Sequence, residues 1–324
     1  MNRFPAISII TPLYNGERFL PETLASVRAQ VFTDWEHILV DDGSTDRSGE
    51  MAQVAARADA RLRALAACGG NGGVARARNR GLAAASASSR YVIFLDQDDV
   101  WTPDALERLF RHLEAHPEAC AAFGTARRID AHGNALPEET LPAVNFVVRQ
   151  GRVVPSADTR RTFAHLIPMN PIPTPGLCLM RAEAVRAAGG LDPATAPCDD
   201  WDLYLRLSLS PDGKGYLDAL GGAPLLGWRL HGGNASHDQQ TLRRQRRRVY
   251  EKFLDRAAPG GAAVAAMARA AMPFGMHDFD AALCRTWGTR ALGAGRPAEA
   301  ARYGLRALRH ALAGARLRAQ AATG

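Results

Sequence analysis

Three short apolar runs constrain this chain more than any other feature. Ala6–Thr11 (AISIIT), Glu36–Val40 (EHILV) and Tyr91–Leu95 (YVIFL) are rich in β-branched and aromatic residues. They have the length of buried strands rather than of helices. Each ends on a polar cluster: Thr11 to Asn15, Asp41-Asp42-Gly43-Ser44, and Asp96-Gln97-Asp98-Asp99. Helical spacing fills the gaps. Pro21–Ala29 carries Leu24 and Val27 in register with Leu20, and Val74–Ala87 is Ala-rich. A helix from about Asp46 to Ala60 has Ser44 placed to cap it. A weaker strand is expected at Arg61–Ala66. Thr102-Pro103-Asp104-Ala105 opens another helix with proline at its first position. Strand and helix thus alternate four times, which predicts an α/β fold on a mostly parallel sheet. Ligands in such sheets bind beyond the carboxyl ends of the strands, so the three polar clusters should converge on one edge.

The second half is less regular. Gly133 to Pro175 holds seven prolines and little periodicity, and long irregular segments in compact domains are usually functional or mobile. A strand (Leu177–Met180), a helix (Arg181–Ala188) and a helix opening with acids (Cys198–Leu207) follow; acids there suit the helix dipole. Pro224–Leu230 then leads to His231-Gly232-Gly233-Asn234. Beyond about Asp238 the chain reads as helical. Arg296–Leu312 reads as one helical hairpin of the tetratricopeptide kind, and one unit is not an array. The expected division is 1–237 for the α/β domain and 238–324 for a helical C-terminal region.

Composition enters as a set of exclusions. With 47% hydrophobic and 23% charged residues, a chain of 324 residues is globular rather than disordered. No apolar run reaches the ~18 residues of a membrane span, and Met1–Pro5 has no signal-peptide core. Five cysteines (Cys68, Cys120, Cys178, Cys198, Cys284) without CxxC or close Cys/His spacing argue against a disulfide framework or a zinc finger. Reduced thiols in a cytoplasm fit best. The net charge is +7, and arginine carries it; Lys214 and Lys252 are the two lysines. Arg243, Arg244, Arg246, Arg247 and Arg248 cluster, and residues 285–324 hold eight arginines against Glu299. A solvated helix face and contact with anionic lipid or lipid-diphosphate acceptors are both open. No aromatic residues interleave the arginines, so nucleic acid is not expected.

Asp96, Asp98 and Asp99 lie within four residues after an apolar run. Like charges so close repel, and a divalent cation removes the penalty. Hard oxygen ligands suit Mg²⁺ or Mn²⁺, held by one or two carboxylates plus substrate phosphates. The plain alternative is a capped turn of solvated acids. It weakens as the other ends are read. Asp42 closes a neighbouring run, Thr11 and Tyr14 stand at the first, and Asp199, Asp200, Asp202 and His231 follow later. Acids gathered around a cleft can hold a metal and also supply a general base.

Across residues 7–100 and 176–236 the chain resembles the family 2 glycosyltransferases of GT-A fold. The matching blocks are ISIITPLYNGERFLPETLASVRAQ, ILVDDGSTDRS, NGGVARARNRGLAAA, YVIFLDQDDVW, GGLDP, DDWDLYLRL and RLHGGNAS. An ordered set is far more specific than any isolated motif. The resemblance implies a Rossmann-like, mostly parallel sheet flanked by helices, here with a C-terminal α-helical extension. It implies transfer of a sugar from a nucleotide-sugar, UDP-sugar by default, with Mn²⁺ or Mg²⁺ and inversion at the anomeric carbon. Carried over by position, Thr11, Pro12 and Tyr14 line the nucleotide pocket and Asp42 reads the base. Arg78 and Asn79 lie near the nucleotide. Asp96-Gln97-Asp98 is the DXD motif, with Asp98 the metal ligand and His231 able to approach the metal or diphosphate. Asp200 matches the second acid of a Glu-Asp pair, the base; position 199 departs from the pattern as Asp, which leaves its role open. Asp199 and Trp201 are supporting candidates. The implied acceptor is a glycan or lipid-linked glycan of cell-surface polysaccharide, at the cytoplasmic side and peripherally at the inner membrane face.

Two rivals remain. Gly70-Asn71-Gly72-Gly73-Val74-Ala75 satisfies the GxGxxA form of the dinucleotide fingerprint, which suggests an NAD(P)-dependent oxidoreductase. A glycoside hydrolase would use paired carboxylates but leaves the Gly-rich turn and Asp42 without a task. A non-catalytic nucleotide-sugar or carbohydrate-binding scaffold is the third option. Trp35, Trp101 and Trp201 read as core or cleft-wall residues, with stacking on a sugar or base open for Trp101 and Trp201.

Overall fold

The computed structural model describes residues 5–67, 69–137, 145–209, 215–234, 238–255, 260–278, 289, 292–293 and 295–323. The N-terminal half alternates strand and helix as expected. It runs β1 (Ile7–Leu13), α1 (Leu20–Arg28), β2 (Trp35–Asp41), α2 (Ser48–Ala58), β3 (Leu62–Leu65), α3 (Val74–Ala84), β4 (Tyr91–Phe94), β5 (Val100–Trp101) and α4 (Ala105–Ala115). Then come β6 (Ala121–Phe123), β7 (Ala126–Ile129), β8 (Phe146–Arg149), β9 (Arg152–Pro155), β10 (Arg160–Arg161), α5 (Phe163–Leu166), β11 (Cys178–Arg181), α6 (Ala182–Ala187), α7 (Asp199–Leu207), β12 (Leu217–Ala219) and β13 (Leu226–Arg229). The helices α8 (Gln239–Leu254), α9 (Gly261–Pro273) and α10 (Pro297–Thr323) follow.

Eight strands form one sheet in the order β10-β12-β6-β11-β4-β1-β2-β3. β3, β2, β1 and β4 are mutually parallel, whereas β11 is antiparallel to both β4 and β6. β1 is buried along its whole length. Each fully buried Ile or Leu there contributes about 1.5–3 kcal/mol relative to exposure. α3 packs on β1 and β2, and α4 on β6 and β11. A second sheet, β5-β13-β7, and the β8-β9 hairpin complete the strands.

Several local expectations are corrected. β1 does not stop before Pro12. Ile10 receives Leu95 N–H from the β4 side, and Leu13 receives Asp42 N–H from the β2 side. In a parallel strand alternate residues bond to opposite neighbours, so Pro12 faces the β4 side, where pairing has already ended at Phe94. Its missing N–H therefore costs no ladder bond. Ser44 does not cap α2; Asp46 accepts the Ser48 N–H at 2.9 Å instead. Pro103 lies just before α4 rather than at its first position. Gly133–Pro175 contains the β8-β9 hairpin, β10 and α5. Arg296–Leu312 is no hairpin: α10 is one continuous helix of 27 residues. Cys120 is half-buried, and Cys178 and Cys198 are buried; Cys68 and Cys284 lie outside the described residues.

The chain divides into two compact units: Met1–Ala143 with Asp158–Thr162 and Pro171–Asp238, and Val144–Ala157 with Phe163–Asn170 and Gln239–Gly324. Residue 237, the expected edge of the α/β domain, lies outside the described residues. In the second unit Tyr250 donates to the Pro168 carbonyl at 2.9 Å, and Phe163 and Phe146 pack on Phe253 and Phe274. Arg243, Arg244, Arg247 and Arg248 of α8 are exposed, with Arg247 paired to Glu251, whereas Arg246 is half-buried and donates to the Gly275 carbonyl at 3.2 Å. Among the described residues no helix is long and apolar enough to cross a membrane.

The closeness of α3 to the sheet rests on Gly81, where an added Cβ would lie 2.3 Å from Ile10 Cγ2 and 3.1 Å from Val40 Cγ2. Gly81→Ala is expected to destabilise by about 1–3 kcal/mol in urea unfolding. Gly221→Ala, whose methyl meets nothing within 4 Å, should leave the midpoint in place.

Candidate active site

The ends of β1, β2 and β4 do converge, and side chains stitch them together. The Gln97 carboxamide pairs with Tyr14 twice, accepting its N–H and donating to its C=O, both at 3.0 Å. Asn15 N–H donates to Ser44 Oγ at 3.2 Å and Gly16 N–H to Ser48 Oγ at 2.8 Å. A Cβ at position 16 would stand 2.2 Å from Gln97 Oε1, so the carboxamide would have to move aside. Tyr14 itself is exposed at this edge.

Arg78, projecting from α3, joins two acidic groups. Its Nη2 meets Asp96 Oδ1 at 2.6 Å and its Nη1 meets Asp199 Oδ2 at 2.9 Å. Arg78 is 5% exposed and Asp199 is fully buried. Burial opposes the guanidinium charge, but Asp96, Asp199 and Asp200 outweigh it and raise the Arg78 pKa. Asp199 Oδ1 and Arg78 Nε have no hydrogen-bond partner among the described residues. The departure from Glu at 199 thus has a structural correlate: the shorter acid is committed to Arg78.

Asp200 opens the same helix, α7, and accepts the Trp201 N–H at 2.7 Å. Burial, then the neighbouring Asp199, pushes its pKa up to about 7 against the pull of Arg78. Such a group exchanges a proton near neutrality, as a general base must.

The third group is Asp98 with His231, whose Nε2 lies 2.8 Å from Asp98 Oδ2. Gly233 N–H donates to His231 Nδ1 at 3.2 Å. That assigns the ring proton to Nε2, donating to Asp98. Burial and then Asp96 raise the Asp98 pKa, while His231 counters. Asp99 is buried and its pKa is raised well above the usual range by burial, then by Asp98 and Asp96. Thr174 Oγ1 (2.6 Å) and the Arg229 N–H (3.0 Å) hold its two oxygens.

Among the described residues, the acids at positions 96, 98, 99, 199 and 200 gather around Arg78, whose guanidinium contacts Asp96 and Asp199 directly. That excess of negative charge, with a partly exposed carboxylate at Asp98, fits a hard divalent cation. Asp98 offers the oxygen ligand. His231 can join only through Nε2, which requires its proton to leave and the Gly233 contact to be given up.

Several expected pocket residues have other tasks. Thr11 is fully buried, bonded to His37 Nε2 at 2.9 Å, and so does not line an open pocket. Burial lowers the pKa of that histidine to about 3. Pro12 is likewise buried in β1. Asn79 pairs both amide atoms with the Leu191 backbone, at 2.8 and 2.9 Å, rather than presenting them to a nucleotide. Trp201 and Trp101 are buried core residues, which removes stacking for either. Asp42 accepts Gly72 N–H at 3.1 Å and Gly73 N–H at 2.7 Å. It does not join Asp98 and Asp200 around an ion, and the Gly-rich turn gives those two N–H groups to a side-chain anion instead of a dinucleotide pyrophosphate.

Arg229 was not singled out from sequence. It is fully buried, pairs with Glu22, and donates from Nε to the Asp98 carbonyl at 2.8 Å and from Nη1 to the Asp130 carbonyl at 3.3 Å. The available signal was an arginine inside an apolar strand, two residues before His231.

Residues 8–187 match the family model described as glycosyl transferase family 2. The chain is 43% identical over 110 residues to the uncharacterized glycosyltransferase EpsJ of Bacillus subtilis, covering 34% of this chain and 31% of that protein. It is 32% identical over 209 residues to the putative glycosyltransferase EpsE of the same organism, covering 64% and 68%. The O-antigen biosynthesis protein RfbC of Myxococcus xanthus is 32% identical over 219 residues, 67% of this chain but 16% of that protein. The chain thus spans less than half the length of EpsJ and RfbC. Among solved structures, S. aureus TarS 1-349 in complex with UDP-GlcNAc superposes with a TM-score of 0.60 at 17% identity, covering 83% of this chain and 71% of that one. The mannosyltransferase PcManGT from Pyrobaculum calidifontis, in complex with GDP-Man and Mn2+, gives 0.63 at 18% identity, covering 97% and 87%. At these identities the likeness is one of fold.

Removing the Arg78 charge should leave Asp199 buried without a cation. Arg78→Gln is expected to destabilise by about 3–5 kcal/mol in chemical unfolding, and an unchanged midpoint would refute the bridge.

Proposed function

The chain belongs to glycosyl transferase family 2 and has the GT-A fold, and we propose that it is a glycosyltransferase whose site works as follows. The donor is a nucleotide-sugar, with a UDP-sugar favoured, and the acceptor is a hydroxyl of a glycan or lipid-linked glycan. The TarS and PcManGT complexes, with UDP-GlcNAc and GDP-Man, support a nucleotide-sugar donor. The role of RfbC, an O-antigen biosynthesis protein, supports cell-surface polysaccharide as the setting.

The observation that carries the proposal is the Asp96–Arg78–Asp199 bridge. It holds the strand end bearing Asp98 against the start of the helix bearing Asp200. Tyr14 borders the nucleotide. Asp42, braced on Gly72 and Gly73, retains carboxylate lone pairs for a base N–H. Asp98, with His231 beside it, would hold Mn²⁺ or Mg²⁺. The chemistry such an ion supplies is Lewis-acid stabilisation of the departing diphosphate charge. Asp200 accepts the acceptor hydroxyl proton as that oxygen bonds to the anomeric carbon. The donor C–O bond breaks on the opposite face, its electron pair leaves with the nucleoside diphosphate, and the configuration inverts. Gln97 and Arg229 hold the main chain of the acidic turn during this exchange.

In the second unit, α10 exposes Leu305, Leu308 and Leu312 and carries Arg302, Arg306 and Arg309 on the same helix. That composition supports peripheral contact with an anionic inner membrane face, on the cytoplasmic side.

Asp200→Asn is expected to lower kcat by about 10²–10⁴-fold while donor binding, read by titration calorimetry with UDP and Mn²⁺, persists. Equal loss of both would remove Asp200 as the base. Only the carboxylate form accepts a proton, so wild-type kcat/KM should rise with pH through about 7. In a separate Mn²⁺ titration, Asp98→Asn should weaken binding at least about 10-fold and His231→Ala less, since His231 must first give up its proton.

A further inference from the structure

Away from the acidic edge, α4 presents His112 and His116 one helical turn apart, facing Asp218 of β12. His112 Nε2 lies 3.2 Å and His116 Nε2 3.5 Å from the same oxygen, Asp218 Oδ2. One ligand atom from each of the three side chains lies within 4.8 Å of the others. The imidazole rings are 4.4 Å apart. We propose that His112, His116 and Asp218 form a second metal site, selective for a divalent transition ion such as Zn²⁺, that pins α4 to the sheet.

Three observations carry this. First, His116 Nδ1 lies 2.8 Å from the His112 backbone carbonyl. A carbonyl only accepts, so Nδ1 bears a proton and Nε2 is the nitrogen turned toward Asp218. A backbone carbonyl on Nδ1–H is also the outer contact that orients metal-binding histidines.

Second, the spacing suits the ion. Ligands at about 2.0–2.2 Å in a tetrahedron stand about 3.3 Å apart, close to the two Asp218 distances. Third, Asp218 is 4% exposed, and its Oδ1 has no partner among the described residues. The buried Arg161 guanidinium offsets part of that carboxylate's charge, yet Oδ1 keeps its lone pairs for a bound ion. The histidines stay partly open, which leaves room for entry and for a water as fourth ligand.

Donor chemistry separates this site from the acidic edge. Two imidazoles and one carboxylate favour Zn²⁺ over Mg²⁺ or Mn²⁺, whereas an oxygen-rich site does not. The inference stands independently of the transfer reaction.

The test uses the full chain, stripped with chelator, in an Asp98→Asn/His231→Ala background that removes the other candidate ligands. Zn²⁺ titrated against a competing chromophoric chelator should bind one ion per chain and raise the unfolding midpoint. Adding His116→Ala, or Asp218→Asn, should weaken that binding at least 10-fold. Should those variants fail to fold, the wild-type chain suffices: ¹⁵N spectra should show the Nε2 resonances of His112 and His116 shifting on Zn²⁺ addition while Nδ1 of His116 stays protonated. No stoichiometric binding in the background, binding unchanged by either substitution, or unshifted Nε2 resonances would each overturn the site.

Discussion

The acidic edge depends on one guanidinium. Arg78 leaves α3, lies buried beneath the strand ends, and meets Asp96 on one side and Asp199 on the other. Without it, a fully buried carboxylate and a cluster of three aspartates would have to coexist by losing charge. With it, the sheet edge and the start of α7 are fixed together, although they lie more than a hundred residues apart in sequence. The bridge neutralises part of the negative charge and leaves the rest at Asp98 and Asp200. In the proposed mechanism the first would hold a cation and the second, its pKa pushed up to about 7, would take the acceptor proton.

The same economy of contacts recurs along the edge. Asp42 folds the Gly72-Gly73 turn around itself before any ligand arrives. Arg229 serves as an interior brace, reaching Glu22 and two main-chain carbonyls, while its own N–H holds Asp99. These groups shape the acidic turn without contributing to its exposed surface. The α/β unit can therefore keep several like charges close together because most are neutralised or hydrogen-bonded from below.

Local pattern made the frame legible and long-range pairing did not. The runs AISIIT, EHILV and YVIFL announced β1, β2 and β4, and their polar ends announced the edge where acids gather. The acids themselves, Asp96, Asp98 and Asp200, were readable because like charges in sequence imply a partner. The partner was not. Arg78 and Asn79 look alike in a helix that faces the edge, yet one is committed to Asp199 and the other to Leu191. Thr11 sits at a strand end but faces His37 inside. β11 entered the sheet antiparallel between β4 and β6 with no local signal of direction, since an apolar strand reads the same either way. The helical reading of Arg296–Leu312 held, but its division into a hairpin did not, because Gly304 is tolerated within a long helix.

Gln97 stands between two aspartates, and its geometry gives that place a definite task. β4 ends at Phe94, so the backbone of Tyr14 has no strand beside it. The carboxamide supplies a donor and an acceptor in the arrangement of a peptide group and adds one further rung to the ladder. A side chain thereby imitates a neighbouring strand, and the main chain is released to turn away three residues earlier than the hydrogen bonding does. A carboxylate here could not donate and an aliphatic residue could do neither, so a library randomised at position 97 should return a primary amide of this length.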